Sequence, residues 1–172
     1  MAVLVGVVVN VPPPRGDILH EHRVRAGDPL AGEVPPHLTL LPPARLPGER
    51  LPGLEEHLGA VAARTAPYEL RLRGTGSFRP VSDVVFVRVV GGFAESVALA
   101  AELAAFAGLA PESGYPFHPH VTVAHNVPGD VLDGVEAALA DFTAEFSVTG
   151  FRLYLGDGGG RWRPRRAFGL AG

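Results

Sequence analysis

The 172-residue chain carries one short pattern twice, His37-Leu38-Thr39-Leu40 and His120-Val121-Thr122-Val123, with the two histidines eighty-three positions apart. Each copy is entered through a proline, Pro36 or Pro119, and Pro42 and Pro43 follow the first copy. Alternate side chains of an extended strand share a face. Each histidine therefore points the same way as its threonine, and the aliphatics point into a core. Two such strands side by side would turn two imidazoles and two hydroxyls into one cleft. An imidazole titrates near pH 6.5, so one can be neutral while the other is protonated. That pair is a general base and a general acid together, and the hydroxyls can donate to an oxyanion as its charge grows. The set suits acid–base catalysis of a group transfer that develops an oxyanion: one imidazole takes a proton from the nucleophile and the other protonates the departing oxygen. The expected assignment is His120 as the base and His37 as the acid.

The surrounding elements repeat as well. Residues 2–10 read as a buried strand, followed through Pro12-Pro13-Pro14 by a short polar helix over roughly 14–25. The first His-x-Thr strand comes next and is expected to close at its prolines. Glu49 to Arg64 has Leu51, Leu54, Leu58 and Val61 at helical spacing. Residues 68–73 alternate with period two, as a half-buried strand does. Gly74-Thr75-Gly76-Ser77-Phe78-Arg79-Pro80 reads as a turn, and 83–90 as a further strand. In the second half a helix over 93–107 precedes the His120 strand. A helix over 130–142 and a hairpin of 146–155 with 161–169 follow it. Each half thus runs helix, His-x-Thr strand, helix, strand, strand. The expected fold is α+β, one domain over 1–172 built from two similar lobes, about 1–90 and 91–172. Antiparallel sheets would carry helices on their outer faces, with a pseudo-twofold axis at a central cleft.

Composition narrows the chemistry. The chain is 47% hydrophobic and has no cysteine, which excludes a disulfide framework, a thiolate nucleophile and a cysteine-based zinc site. All fifteen basic residues are arginines, so a P-loop lysine and a Schiff-base lysine are excluded too. The net charge of −3 disfavours sequence-independent binding along a long nucleic acid and suits a small or single-ended phosphate ligand. No apolar run approaches the roughly 18 residues of a membrane span, and the opening residues lack the basic start of a signal peptide. A cytoplasmic monomer without a stable protein partner is expected.

Pro36-His37-Leu38-Thr39-Leu40 and Phe117-His118-Pro119-His120-Val121-Thr122-Val123 resemble the paired motifs of the two-histidine (2H) phosphoesterase superfamily, in its 2′-5′ RNA ligase-like branch. The resemblance extends to Leu41-Pro42-Pro43 and to the glycine-rich segment 74–80. It implies a bilobal fold with both motifs lining a groove, and metal-independent action on 2′,3′-cyclic phosphate ends of RNA or on small nucleotides. Reverse 2′-5′ ligation would use the same residues. By this resemblance His37 and His120 are catalytic, and Thr39 and Thr122 hold the phosphate. Where many relatives have an arginine after the second motif, this chain has His125.

Near the motifs, Phe78, Tyr115 and Phe117 are candidates to stack on a base, and Arg79 to meet phosphate. His118, His120 and His125 are close in sequence, but 120 and 125 have opposite strand parity and no carboxylate is adjacent. No metal or other cofactor is therefore expected. His20-Glu21-His22, His57 and the arginines at 161, 163, 165 and 166 read as solvated surface. Two other functions compete: a non-catalytic binder of a nucleotide or RNA end, and a hydrolase of a small cyclic phosphodiester that is not RNA.

Overall fold

The β-branched run that opens the chain forms β1 (Ala2–Asn10), buried from Leu4 to Val9 because it lies between two other strands. The computed structural model describes all residues, Met1–Gly172. The chain continues as α1 (Arg15–Ala26), β2 (His37–Pro47), α2 (Leu51–Ala63), β3 (Tyr68–Ser77), β4 (Val84–Gly91) and α3 (Phe93–Ala104). The second half supplies β5 (Ala110–Pro111), β6 (His120–His125), α4 (Gly129–Ala138), β7 (Thr143–Val148), β8 (Gly150–Gly156) and β9 (Trp162–Gly169). The mixed α and β class expected from the sequence is the one observed.

All strands belong to one antiparallel sheet of order β7-β3-β4-β6-β2-β1-β8-β9, with the short β5 on β2. The two His-x-Thr strands lie at its middle. They are joined through one register pair, Leu38 with Val121, so the sheet is pinched between two wings. The spatial wings do not follow the chain halves. Strands β3 and β4 of the first half extend β6, whereas β8 and β9 of the second half extend β1. The helices cross over too: α1 packs on β6 and α4, and α3 packs on β2 and α2. Leu19, Leu54, Leu58, Leu103 and Leu132 of the helices join Leu38, Leu40, Val121 and Val123 of the strands in one apolar core.

Three local expectations are corrected. Strand β2 does not stop at Pro42 but runs to Pro47. Its register against β1 shifts between Val5–Ala44 and Val7–Leu41, which puts Pro42 and Pro43 in a bulge where no ladder N–H is required. The expected single strand over 146–155 is two strands that part at Thr149; β7 pairs with β3, and β8 with β1 at the far side of the sheet. Gly74 to Ser77 belongs to β3 and not to a turn. Gly74, at φ 67°, sits where the β3–β4 register shifts, a positive φ that glycine adopts without a Cβ penalty.

Candidate functional site

Each motif proline orients the histidine that follows it. A residue before proline is pushed into the extended region, and the carbonyl two positions ahead of each histidine then meets that histidine's own ring. His37 Nδ1 lies 2.8 Å from the Pro35 oxygen and His120 Nδ1 lies 2.5 Å from the His118 oxygen. A carbonyl only accepts, so Nδ1 carries the proton in both rings and Nε2 is left as the basic nitrogen. The duplication seen in the sequence is therefore a duplication of tautomer.

The pair Leu38–Val121 sets the relation between the motifs. Continued by one residue each way, that register puts His37 across from Thr122 and Thr39 across from His120. Directly opposed side chains have Cβ atoms about 4.5–5.5 Å apart, and the diagonal pair of histidines is about 7–8 Å apart. Burial holds the His37 pKa at about 4, against the Pro35 hydrogen bond, and the charges of Arg23 and His120 lower it further. Burial also lowers His120, against the hydrogen bond to the His118 carbonyl, and the charge of the His118 ring lowers it slightly further. Both rings are thus neutral near pH 7 in the free protein.

A cavity of about 210 Å³ opens from His37, Thr39 and Thr122 across β1 towards β8 and β9. Arg23 and His125 are among its lining residues that were not expected. Arg23 faces it from α1, with a side chain only 6% exposed, and both its Nε and Nη2 donate to Asp28 Oδ2 at 3.0 and 2.8 Å. Asp28 Oδ1 accepts from Leu30 N–H at 2.9 Å, so the carboxylate is fully engaged and steadies the guanidinium. The clue in the sequence is that Arg23 falls on the buried stripe Gly16, Leu19, Arg23 of an otherwise polar helix.

The second is His125, which strand parity turns away from the motif. The structure brings it to the same cavity as Thr122. The β4–β6 register steps from Val85–Ala124 to Phe86–Thr122, and the extra residue leaves Val123 and Ala124 both buried. This bulge reverses the parity of everything after it. His125 Nδ1 is buried with no hydrogen-bond partner. No group of three metal-ligating side chains forms among these histidines and the nearby carboxylates.

The wing on the other side of the motifs is filled. Phe86, the partner of Thr122 on β4, packs at 4.5 Å against Phe78 with the rings tilted by 35°, and the Phe78 ring meets His120 edge-on at 4.9 Å. Phe78 thus lies beside a motif histidine, as a wall. Arg79 turns to α4, with Nη1 2.8 Å from Asp133 and Nη2 3.6 Å from Glu136. Phe117 is half-buried and Tyr115 is 70% exposed in the loop before β6; neither lines the cavity. Of the late arginines, Arg165 and Arg166 pair with Glu55 on the surface.

The description 2′-5′ RNA ligase superfamily fits the chain over residues 11–160. A Bacillus cereus (strain B4264) protein named "Putative phosphoesterase" is 31% identical over 148 residues, 83% of each chain. A Bacillus cytotoxicus relative with the same designation is 29% identical over 147 residues, again 83% of each. Among solved structures, TT0787 of Thermus thermophilus is similar with a TM-score of 0.69, 26% identity and 98% of each chain covered. E. coli LigT complexed with 3′-AMP shares the fold, with a TM-score of 0.66, 24% identity and full coverage of both chains. The chain belongs to the 2′-5′ RNA ligase superfamily.

Proposed function

We propose that the protein is a metal-independent phosphodiesterase that opens 2′,3′-cyclic phosphate ends of RNA or of small nucleotides. The observation that carries this reading is the matched seating of the two histidines, each with Nε2 basic, on strands joined at Leu38 and Val121. In the reaction, water oxygen bonds to phosphorus and one ribose oxygen departs. One imidazole takes the water's proton and the other gives a proton to the leaving oxygen. Thr39 and Thr122 donate to the non-bridging oxygens. Arg23 adds a positive charge already fixed by Asp28, so it needs no reorganisation as the phosphorane forms. A bound phosphodiester anion favours the imidazolium form, so the substrate brings about the protonation that the empty site resists. The reverse reaction, joining a 2′ end, would use the same groups.

The roles of the two imidazoles have two readings. The sequence expectation is base His120 and acid His37. The deeper lowering of His37, with Arg23 beside it, favours the converse, because the imidazole hardest to protonate is the better candidate for the base at neutrality. Removal of the base abolishes the acidic limb of the pH profile and removal of the acid abolishes the alkaline limb, so the two readings predict opposite results for His37→Ala. Incubation of the protein with a panel of nucleoside 2′,3′-cyclic phosphates, with and without a chelator, tests the activity itself. Turnover of none of them refutes it and leaves the non-catalytic binder. Turnover confined to a cyclic phosphodiester that carries no nucleoside favours the small-molecule hydrolase.

A further inference from the structure

The two wings are built on one plan and differ at one place. Val8 pairs with Thr39 as Phe86 pairs with Thr122, and Asn10 pairs with His37 as Arg88 pairs with His120. In the β6 wing the position beside the threonine is therefore an aromatic ring, with Phe78 packed on it. In the β2 wing the same position is a valine, and two residues earlier comes Gly6. The cavity described above opens on the valine and glycine side.

The floor of this open side is glycine and its far wall is aromatic. A Cβ at Gly6 would lie 3.4 Å from Trp162 Cζ3, and one at Gly156 would lie 3.2 Å from the same atom, so the indole rests over two glycines on adjacent strands. Tyr154, the partner of Gly6 on β8, lines the cavity beside it. From β2 to β9 is three strand spacings, roughly 14 Å at about 4.7–4.9 Å each. The α1–β2 loop closes the cavity at this end. Asp28 is held by Arg23, Leu30 is near the β8–β9 tip, and Glu33 Oε2 accepts from the backbone N–H of Trp162 at 3.2 Å. The other oxygen of Glu33 has no protein partner among the hydrogen bonds of the structure, and Glu33 lines the cavity.

We infer that Trp162 and Glu33 form a nucleobase subsite, in which the base of the substrate stacks on the indole while its phosphate lies between the two motifs. This rests on the proposed phosphodiesterase reading and deepens it. A phosphate between β2 and β6 leaves the ribose over Val8 and Gly6 and carries the base to β8 and β9. A carboxylate with one free oxygen accepts from an exocyclic amine, so adenine, guanine and cytosine are favoured over uracil, whose imide N–H is flanked by two carbonyl oxygens. This reading gives the stacking to Trp162, where the sequence offered Phe78, Tyr115 and Phe117.

Trp162 is the only tryptophan of the chain, so its emission reports on the subsite without any substitution. Titration with adenosine 2′-monophosphate should change the emission saturably, and uridine 2′-monophosphate should do so at higher concentration. Inorganic phosphate should displace both while leaving the emission of the free protein unchanged. Trp162→Leu should raise KM for adenosine 2′,3′-cyclic phosphate roughly 10- to 100-fold with little change in kcat, and Trp162→Phe should restore most of it. Glu33→Gln should narrow the preference for adenosine over uridine. Unchanged emission at saturating nucleotide, or an unaltered KM in Trp162→Leu, overturns the subsite, and equal affinities for the two nucleotides overturn the part given to Glu33. Turnover with unchanged emission would remove the subsite and leave the phosphodiesterase, whereas quenching without turnover of any cyclic phosphate would do the reverse.

Discussion

Protonation of His37 should set a measurable part of the acid stability of this protein. Unfolded, its imidazole binds a proton near pH 6.5; folded, it resists until about pH 4. Between those values the unfolded chain holds the extra proton, so stability falls as the pH is lowered from 6.5 towards 4 and is fully retained above 6.5. At 1.36 kcal/mol per pKa unit, the contribution lost is about 1.4 kcal/mol at pH 5.5 and about 3 kcal/mol at pH 4. Water in the cavity reaches part of the ring, which makes these upper figures. The measurement is urea unfolding of the wild type and of His37→Asn at pH 7, 5.5 and 4. The variant changes a hydrogen bond and a packing contact at every pH, so only the pH-dependent part of the difference counts. The wild-type advantage should shrink by up to about 3 kcal/mol from pH 7 to pH 4. A difference constant across that range would mean that the ring is not desolvated and that the fold does not impose a neutral Nε2.

The proposed chemistry makes further predictions. His37→Ala and His120→Ala should each lower kcat/KM by about 10²–10⁴-fold with the circular dichroism spectrum retained, and a loss below about tenfold in either would sink the two-imidazole mechanism. Because both imidazoles are lowered from 6.5 in the free protein, the bell of kcat/KM against pH should have its maximum on the acid side of that value. The kcat profile should lie at higher pH, since bound phosphate raises both groups. A kcat/KM maximum above pH 7 contradicts this. Asp28→Asn, which strands the buried Arg23, should cost about 3–5 kcal/mol in chemical denaturation, and Arg23→Met with Asp28→Leu should recover most of that stability while weakening phosphate binding. EDTA should leave turnover unchanged; loss of activity restored by zinc or manganese would contradict the donor geometry, in which no three ligands converge.

Whatever depends on short-range alternation and on composition was legible in the sequence. His37 with Thr39, and His120 with Thr122, share a face because strands alternate, and the helix over Leu51–Ala63 follows from leucines at helical spacing. The prolines at 36 and 119 constrain the residue just before them, whose carbonyl meets the ring of the histidine just after, so the seating of both rings was within reach of the local pattern. The phosphoesterase resemblance rested on those same residues. Three features needed the fold. Bulges are one: the extra residue in β6 brings His125 back to the cavity, and the one in β2 carries the strand past Pro42 and Pro43, because strand parity holds only while the ladder is unbroken. Strand exchange is another: β3 and β4 join β6 while β8 and β9 join β1, since pairing is decided by which edges meet and not by order in the chain. The third is the cavity itself. Arg23, Glu33 and Trp162 come from a polar helix, a loop and a late strand, and only tertiary packing brings them to one wall. The aromatic residues beside the motif in space, Phe78 and its partner Phe86, fill the opposite wing, because strands adjacent in the sheet carry residues that are distant in the chain.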